Sequence, residues 1–256
     1  MQSRQRIKGL YNVVNRGIKV KVLDDLIASL DKDSIVREVY ACALWIGVMT
    51  RHWGLASSFH EEHPHHGRVR DVGKLRGKPA LELAEYAKSD HLLEASIGMA
   101  TINSLIDIDE TRCLAENAFD ILAQKGRGKN IAVVGHFPWT PMLKDIAKKL
   151  WVIEQKPRGD DLPAEAAEDI LPQADVVGLT GTSLINHTFP RLMELCQGKF
   201  VVMVGPTSPL SPVLFDYGVD VISGVKVVEP KRMLACITEG AMFKQIEGLK
   251  YLSMKK

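Results

Sequence analysis

The sequence lacks most of the features that declare a function on their own. Its four cysteines (Cys42, Cys113, Cys196 and Cys236) stand far apart with no C-x-x-C pair, which removes a zinc ribbon, a dithiol redox centre and a disulfide-stapled secreted scaffold. No stretch reaches the roughly 18 apolar residues that a membrane helix needs, and the polar, basic start from Gln2 to Lys8 holds no apolar core of a signal peptide. The formal net charge is only +2 over 256 residues, with lysine and arginine dispersed, so no basic stripe marks a nucleic-acid surface. Trp45, Trp53 and Trp139 therefore read as packing residues rather than a stacking platform. There is no G-x-S-x-G nucleophile elbow, no internal repeat and no low-complexity tract. These absences predict a cytoplasmic, soluble protein with a small-molecule ligand and no nucleic-acid or membrane partner. Homo-oligomerisation stays open.

What is present is ordinary globular material, 46% hydrophobic and 25% charged, enough for a sizeable core in two domains. Apolar residues at spacings of three and four predict a helix over Gln2–Leu30. The β-branched and aromatic run Ser34–Arg51 and the segment Trp53–His60 predict two strands joined by a turn at Thr50–His52. Helices are expected over Pro79–Ser89 and His91–Leu105, and again over Thr111–Gln124. The chain then alternates. Strands are expected at Ile131–Val134, Trp151–Glu154, Asp175–Leu179, Phe200–Val204 and Val219–Ile222, separated by helices over Pro141–Leu150, Pro163–Leu171, Asn186–Cys196 and Pro212–Tyr217, with a last helix from Pro230. Short apolar runs separated by helices predict an open parallel sheet covered on both faces. The fold class is α/β: a small α+β domain over 1–109 and a Rossmann-like domain over 110–256.

In such sheets ligands bind outside the carboxyl ends of the strands, so the strand-end loops carry the candidate site. The first offers Gly135, His136, Phe137 and Pro138. One glycine replaces the three of a dinucleotide fingerprint, which argues against NAD and FAD but leaves room for a nucleoside-type ligand. Glu154 ends the second strand about 20 residues on, the spacing of a ribose-binding acid, or else is a solvated strand-end carboxylate. The third strand runs into Thr180, Gly181 and Thr182, then Asn186, hydroxyls and an amide that could bind a ligand or cap a helix. The fourth ends in Gly205, Pro206, Thr207 and Ser208, a proline-stiffened polar loop.

Six blocks in order resemble the DUF364 family, described as putative heavy-metal chelation: W-G-L-A from Trp53, E-A-S-I-G-M-A-T-I-N from Glu94, V-V-G-H-F-P from Val133, L-P-Q-A-D-V-V from Leu171, T-G-T-S-L-I-N-H-T from Thr180, and G-P-T-S-P-L-S-P-V-L-F-D-Y-G-V-D from Gly205. The resemblance implies an enolase N-terminal-like first domain, a Rossmann-like second one and a cleft site between them. It also implies Asn103 as the first domain's polar contribution, and a role in making or handling pterin- or siderophore-like chelators.

The segment His60-Glu61-Glu62-His63-Pro64-His65-His66 is not one of those blocks. Its imidazoles and carboxylates suit a divalent transition metal, yet the order is not H-E-x-x-H and Pro64 places it on a loop. Three functions follow as expectations. The first is a binding protein or enzyme for a polar, metal-chelating metabolite, with His136 as general acid–base. The second is a metal or metallophore carrier using His60, His63, His65 and His66. The third is an S-adenosylmethionine-dependent methyl transfer with Glu154 on the ribose.

Overall fold

The computed structural model describes residues 21–59 and 68–256. Of the helix expected over Gln2–Leu30, the described part is helical over 21–28 (α1), and its buried Val22, Leu23 and Leu26 share one face. The rest of that expectation lies outside the described residues.

The first layer is an antiparallel sheet, β1 (Glu38–Ala41), β2 (Trp45–Met49) and β3 (Trp53–Ser57), in the order β1-β2-β3. The single strand expected over Ser34–Arg51 is thus two. The chain reverses at Cys42–Leu44, where the Cys42 amide donates to the Trp45 carbonyl at 2.9 Å. A-C-A-L contains none of the residues that mark turns, so the reversal was hidden in a run of strand formers. A short helix, α2 (Ala80–Ala84), and a longer one, α3 (Leu92–Leu105), follow. Side chains alternate across a strand, and here both faces are covered. Ile46, Val48 and Ala56 join a core with the α3 residues Ile97, Met99 and Ile102. Trp45 and Leu55 join another with Met233 and Ile237.

The second layer is an eight-stranded sheet. Its elements are β4 (Cys113–Leu114), α4 (Ala118–Gly126), β5 (Asn130–Val134), β6 (Lys149–Glu154), β7 (Leu162–Pro163), α5 (Ala167–Ile170) and β8 (Val176–Thr180), then α6 (Phe189–Leu195), β9 (Phe200–Val204), α7 (Val213–Asp216), β10 (Val221–Val227), α8 (Pro230–Thr238) and β11 (Leu249–Lys255). The order is β4-β11-β10-β9-β8-β5-β6-β7. The six strands from β10 to β7 are parallel, and β11 runs antiparallel to both β10 and β4. The parallel strands expected from the sequence are all present.

Several helices are shorter than expected. α4 begins only at Ala118, capped by the Asn117 side chain accepting from the Asp120 amide at 3.0 Å, because Cys113–Leu114 pairs with β11. Between β5 and β6 a single 3-10 turn, Thr140–Leu143, replaces the helix expected over Pro141–Leu150. The Lys148 amide donates to the Lys129 carbonyl at 2.8 Å and draws the chain into the sheet early. The helix expected over Pro163–Leu171 is broken by 3-10 turns, and that expected over Asn186–Cys196 begins only at Phe189. β11 was not expected; it lies in the region after the last expected helix, and its burial does not alternate, with Leu252, Ser253 and Met254 buried in succession.

A carboxylate ties the edge of this sheet. Glu110 accepts from Lys226 of β10 at 2.6 Å and from Lys250 of β11, and these two ammonium donors lower its pKa from the ordinary value to about 2. A carboxyl whose folded pKa is depressed adds stability above its unfolded value, near 4.3, and that contribution is lost as pH falls through the folded value. Glu110→Gln should therefore flatten the fall of stability between about pH 4.5 and 2, read by urea melts across that window. An unchanged acid limb would contradict it.

Candidate functional site

Strand order in the large sheet reverses between β5 and β8. The chain steps to β6 and β7 on one side and to β9 and β10 on the other, and such a switch point opens a crevice at the carboxyl ends of the two central strands. The loops after β5 and β8 meet there. A side chain at Gly135 would place its Cβ 3.0 Å from that of Thr180. Gly135 at φ +108° and Gly205 at φ +116° both occupy backbone conformations that favour glycine, at the ends of β5 and β9.

These loops border a cleft of about 1580 Å³. Of the residues singled out from the sequence, Gly135, His136, Phe137, Pro138, Glu154, Thr180, Thr182, Asn186, Gly205, Pro206 and Thr207 line it. The first layer contributes Ser57, at the end of β3, together with Phe59 and Leu92. The Ser57 amide donates to the Thr207 hydroxyl oxygen at 3.0 Å, and that hydroxyl donates to Ser57 Oγ at 3.3 Å. The cleft therefore has walls from both layers.

The imidazole of His136 is the most developed feature. Its Nδ1 lies 3.0 Å from Asp161 Oδ2, and the Asp161 side chain is only 7% exposed while that of His136 is 45% exposed. Asp161 Oδ2 also accepts from the Arg158 amide at 3.1 Å, so the carboxylate is fixed before it meets the ring. Next to it, Glu154 Oε1 accepts from the His136 amide at 2.7 Å and Oε2 from the Gln155 amide at 3.0 Å. Glu154 thus pins the glycine turn on which His136 sits. Phe137 stacks on Trp139, centroids 4.9 Å apart and planes 5° from parallel, which stiffens the following turn.

On the other side, the Thr180 and Thr182 hydroxyls are hydrogen-bonded at 2.9 Å. Asn186 Oδ1 accepts from the Thr188 amide at 3.2 Å and from its hydroxyl at 2.7 Å, leaving the Asn186 amide nitrogen unpaired among the described residues. Three expected site residues lie behind the cleft wall. Gly181 backs onto Ser208, where a Cβ would fall 2.5 Å from Ser208 Oγ, and Ser208 is buried. Asn103 does come from the first layer, but its Nδ2 donates to the Leu55 carbonyl at 2.9 Å and the Thr207 carbonyl at 3.2 Å. It clamps the loop after β9 from below.

Residue-level chemistry narrows the options. Burial pushes the Cys196 thiol up to about 12 and raises Cys42 and Cys113 as well, so these three are not thiolate nucleophiles near neutral pH. Among the described residues, no group of three or more His, Cys, Asp or Glu side chains is placed to hold a metal ion. His60, His63, His65 and His66 lie outside the described residues. Their flanks are anchored to α3: the Phe59 amide donates to Ser96 Oγ at 3.2 Å, and the Arg70 amide donates to the buried Glu94 carboxylate at 2.6 Å.

The DUF364 family profile, described as "Putative heavy-metal chelation", matches residues 117–254, and the DUF4213 profile of the same description matches residues 23–106. The chain belongs to the DUF364 family. An uncharacterized protein of Methanocaldococcus jannaschii is 29% identical over 189 residues, 71% of this chain and 72% of that protein. Among solved structures, a DUF364 protein of unknown function from Desulfitobacterium hafniense DCB-2 is 29% identical with a TM-score of 0.81, covering 93% of this chain and 98% of that one. A second DUF364 structure, from Pyrococcus horikoshii, has a TM-score of 0.79 at 19% identity over 93% of this chain and 100% of that one, a likeness of fold. The mixed α/β architecture is thus the DUF364 fold. No described helix of this DUF364 chain is long and apolar enough to cross a membrane.

The sequence reasoning missed Asp161, Ser57 and His187. Asp161 sits in R-G-D-D, which reads as a solvated turn, and no spacing rule links it to His136. Ser57 ends a strand whose polar terminus looked unremarkable. His187 was passed over because its neighbours Asn186 and Thr188 read as helix-capping residues.

Proposed function

We propose that this DUF364 chain binds a small polar metabolite of metal-chelating character in the strand-end cleft, and that His136 exchanges a proton with it. The contact between His136 Nδ1 and Asp161 Oδ2, 3.0 Å long, carries the reading. A carboxylate accepts, so Nδ1 carries the hydrogen, and the ring is held with Nε2 as the nitrogen left for a ligand. This is how an orienting carboxylate prepares an imidazole for acid–base work. A metal would arrive as the ligand's cargo, and no step is assigned to it.

The other expectations have less support. Methyl transfer needs Glu154 for a ribose, yet both of its oxygens already accept backbone amides. The carrier reading rests on the four histidines outside the described residues. Calorimetric titration with a pterin, a hydroxamate chelator and S-adenosylmethionine tests the proposal. Hydrogen bonds to charged groups contribute about 1.5–3 kcal/mol, so His136→Ala and Asp161→Asn should each weaken chelator binding at least roughly tenfold. Unaltered affinity in both variants would remove His136 from the site, and binding of S-adenosylmethionine alone would favour methyl transfer.

A further inference from the structure

Only two described residues other than glycine have positive φ, and one is His187, at φ +58°. A side chain bearing a Cβ reaches that region at a cost, and such residues persist where the surroundings hold them. His187 is 9% exposed, follows Asn186 in the loop after β8, and lines the cleft. Its Nε2 lies 2.9 Å from the carbonyl oxygen of Ala87 in the first layer. A carbonyl only accepts, so Nε2 carries a hydrogen, and in the neutral ring Nδ1 is the nitrogen with the available lone pair. Nδ1 has no hydrogen-bond partner among the described residues. It is also not sealed away, because the buried side-chain atoms without partners are Asn103 Oδ1 and Ser208 Oγ. The ring is therefore tethered at one nitrogen and open at the other. The neighbouring Asn186 is the reverse case: its oxygen is taken by Thr188 and its amide nitrogen is left to donate.

We infer that His187 is a specificity-determining residue of the cleft, its Nδ1 accepting a hydrogen bond from a ligand N–H or O–H while Asn186 Nδ2 donates to an adjacent ligand oxygen. The inference rests on the cleft being the binding site and names the class of ligand it takes. Consecutive acceptor and donor groups match a neutral polar edge that carries a donor beside an acceptor, such as a lactam or secondary amide. An inorganic phosphate or a bare carboxylate offers His187 Nδ1 only acceptors when fully ionised.

The test uses the full chain and two probes, 2-piperidone and N-methyl-2-piperidone, which differ in the one N–H that Nδ1 would accept. Titrations followed by NMR of 15N-labelled protein should show 2-piperidone binding at least about tenfold more tightly, a difference of roughly 1.4 kcal/mol, with a shift of the His187 Nδ1 resonance. In His187→Gly, where glycine accepts the backbone conformation without strain, the two probes should bind alike. His187→Asn, which also tolerates that conformation, serves if the glycine variant folds poorly. Equal binding of the two probes by the wild-type chain, or no shift at His187, overturns the inference. Backbone shifts at Gly135, Thr182 and Gly205 without N–H preference would leave the cleft standing and remove only the role of His187. Absence of any shift overturns the inference, while the chelator titration above decides the cleft separately.

Discussion

Gly98→Ala should lower the thermal midpoint by roughly 10 °C, about 4 kcal/mol at 2–4 °C per kcal/mol for a chain of this size. Gly98 lies within α3, and a Cβ there would fall 1.9 Å from the Ala87 nitrogen and 2.6 Å from the Ala87 Cα. Overpacking usually costs about 1–3 kcal/mol because side chains can shift. Here the obstacle is backbone, in the 3-10 turn Glu85–Lys88, so the two segments must separate. Gly54 faces the same helix from the other side, where a Cβ would lie 2.0 Å from the Ala100 carbonyl oxygen. Gly240→Asn is the control. Its added Cβ meets nothing within 4 Å and its φ is +82°, which asparagine tolerates, so stability should stay within about 0.5 kcal/mol. Calorimetric melts of the two variants decide it. Equal midpoints would mean that α3 does not pack as closely as described.

Gly181→Ala is expected to cost little overall structure but most of the ligand affinity. The new Cβ would meet Ser208 Oγ at 2.5 Å and the Ser208 nitrogen at 2.7 Å, so the loops after β8 and β9 must move apart. Those loops carry Thr182, Asn186 and Thr207 into the cleft, and a displacement of about 1 Å in such groups can cost a factor of about 100. Circular dichroism should be nearly unchanged while calorimetric affinity for the chelator falls by about two orders of magnitude. A variant that binds like the wild type would place the ligand elsewhere.

The two glycines explain why parts of the fold were readable in advance. Gly54 of W-G-L-A sits where β3 meets α3, and Gly98 of E-A-S-I-G-M-A-T-I-N sits where α3 meets the 3-10 turn Glu85–Lys88, and both contacts require a residue without a side chain. The parallel strands were legible because most are short apolar runs, and β5, β8 and β9 run into Gly135, Thr180 and Gly205, the punctuation of a strand-end loop. The β1–β2 reversal was not legible, since Ala41-Cys42-Ala43-Leu44 has no turn residue. β11 was missed because its pairing with β10 and β4 is decided by tertiary contacts rather than by local signals.

The site divides in the same way. His136 was legible from its place after Gly135, because strand-end position alone puts a side chain at the crevice. Asp161 was not, since it reaches His136 through the loop between β6 and β7. Glu154 was found by spacing and is close to the predicted place, but its oxygens hold the His136 and Gln155 amides. Its contribution is to fix the loop. Asn103 and Ser208 lie behind the cleft wall, where Asn103 Nδ2 holds the Thr207 carbonyl and Ser208 is buried against Gly181.

The most direct test of the cleft as the working site is calorimetric titration of the chelator into three proteins: the wild type, Gly181→Ala, and a variant with His60, His63, His65 and His66 all replaced by alanine. Metal analysis of the purified wild-type chain and the histidine variant accompanies it. The account predicts saturable binding that survives loss of the four histidines and is lost in Gly181→Ala. Stoichiometric metal that disappears with the four histidines, with chelator binding indifferent to Gly181, would contradict it and assign the function to that segment.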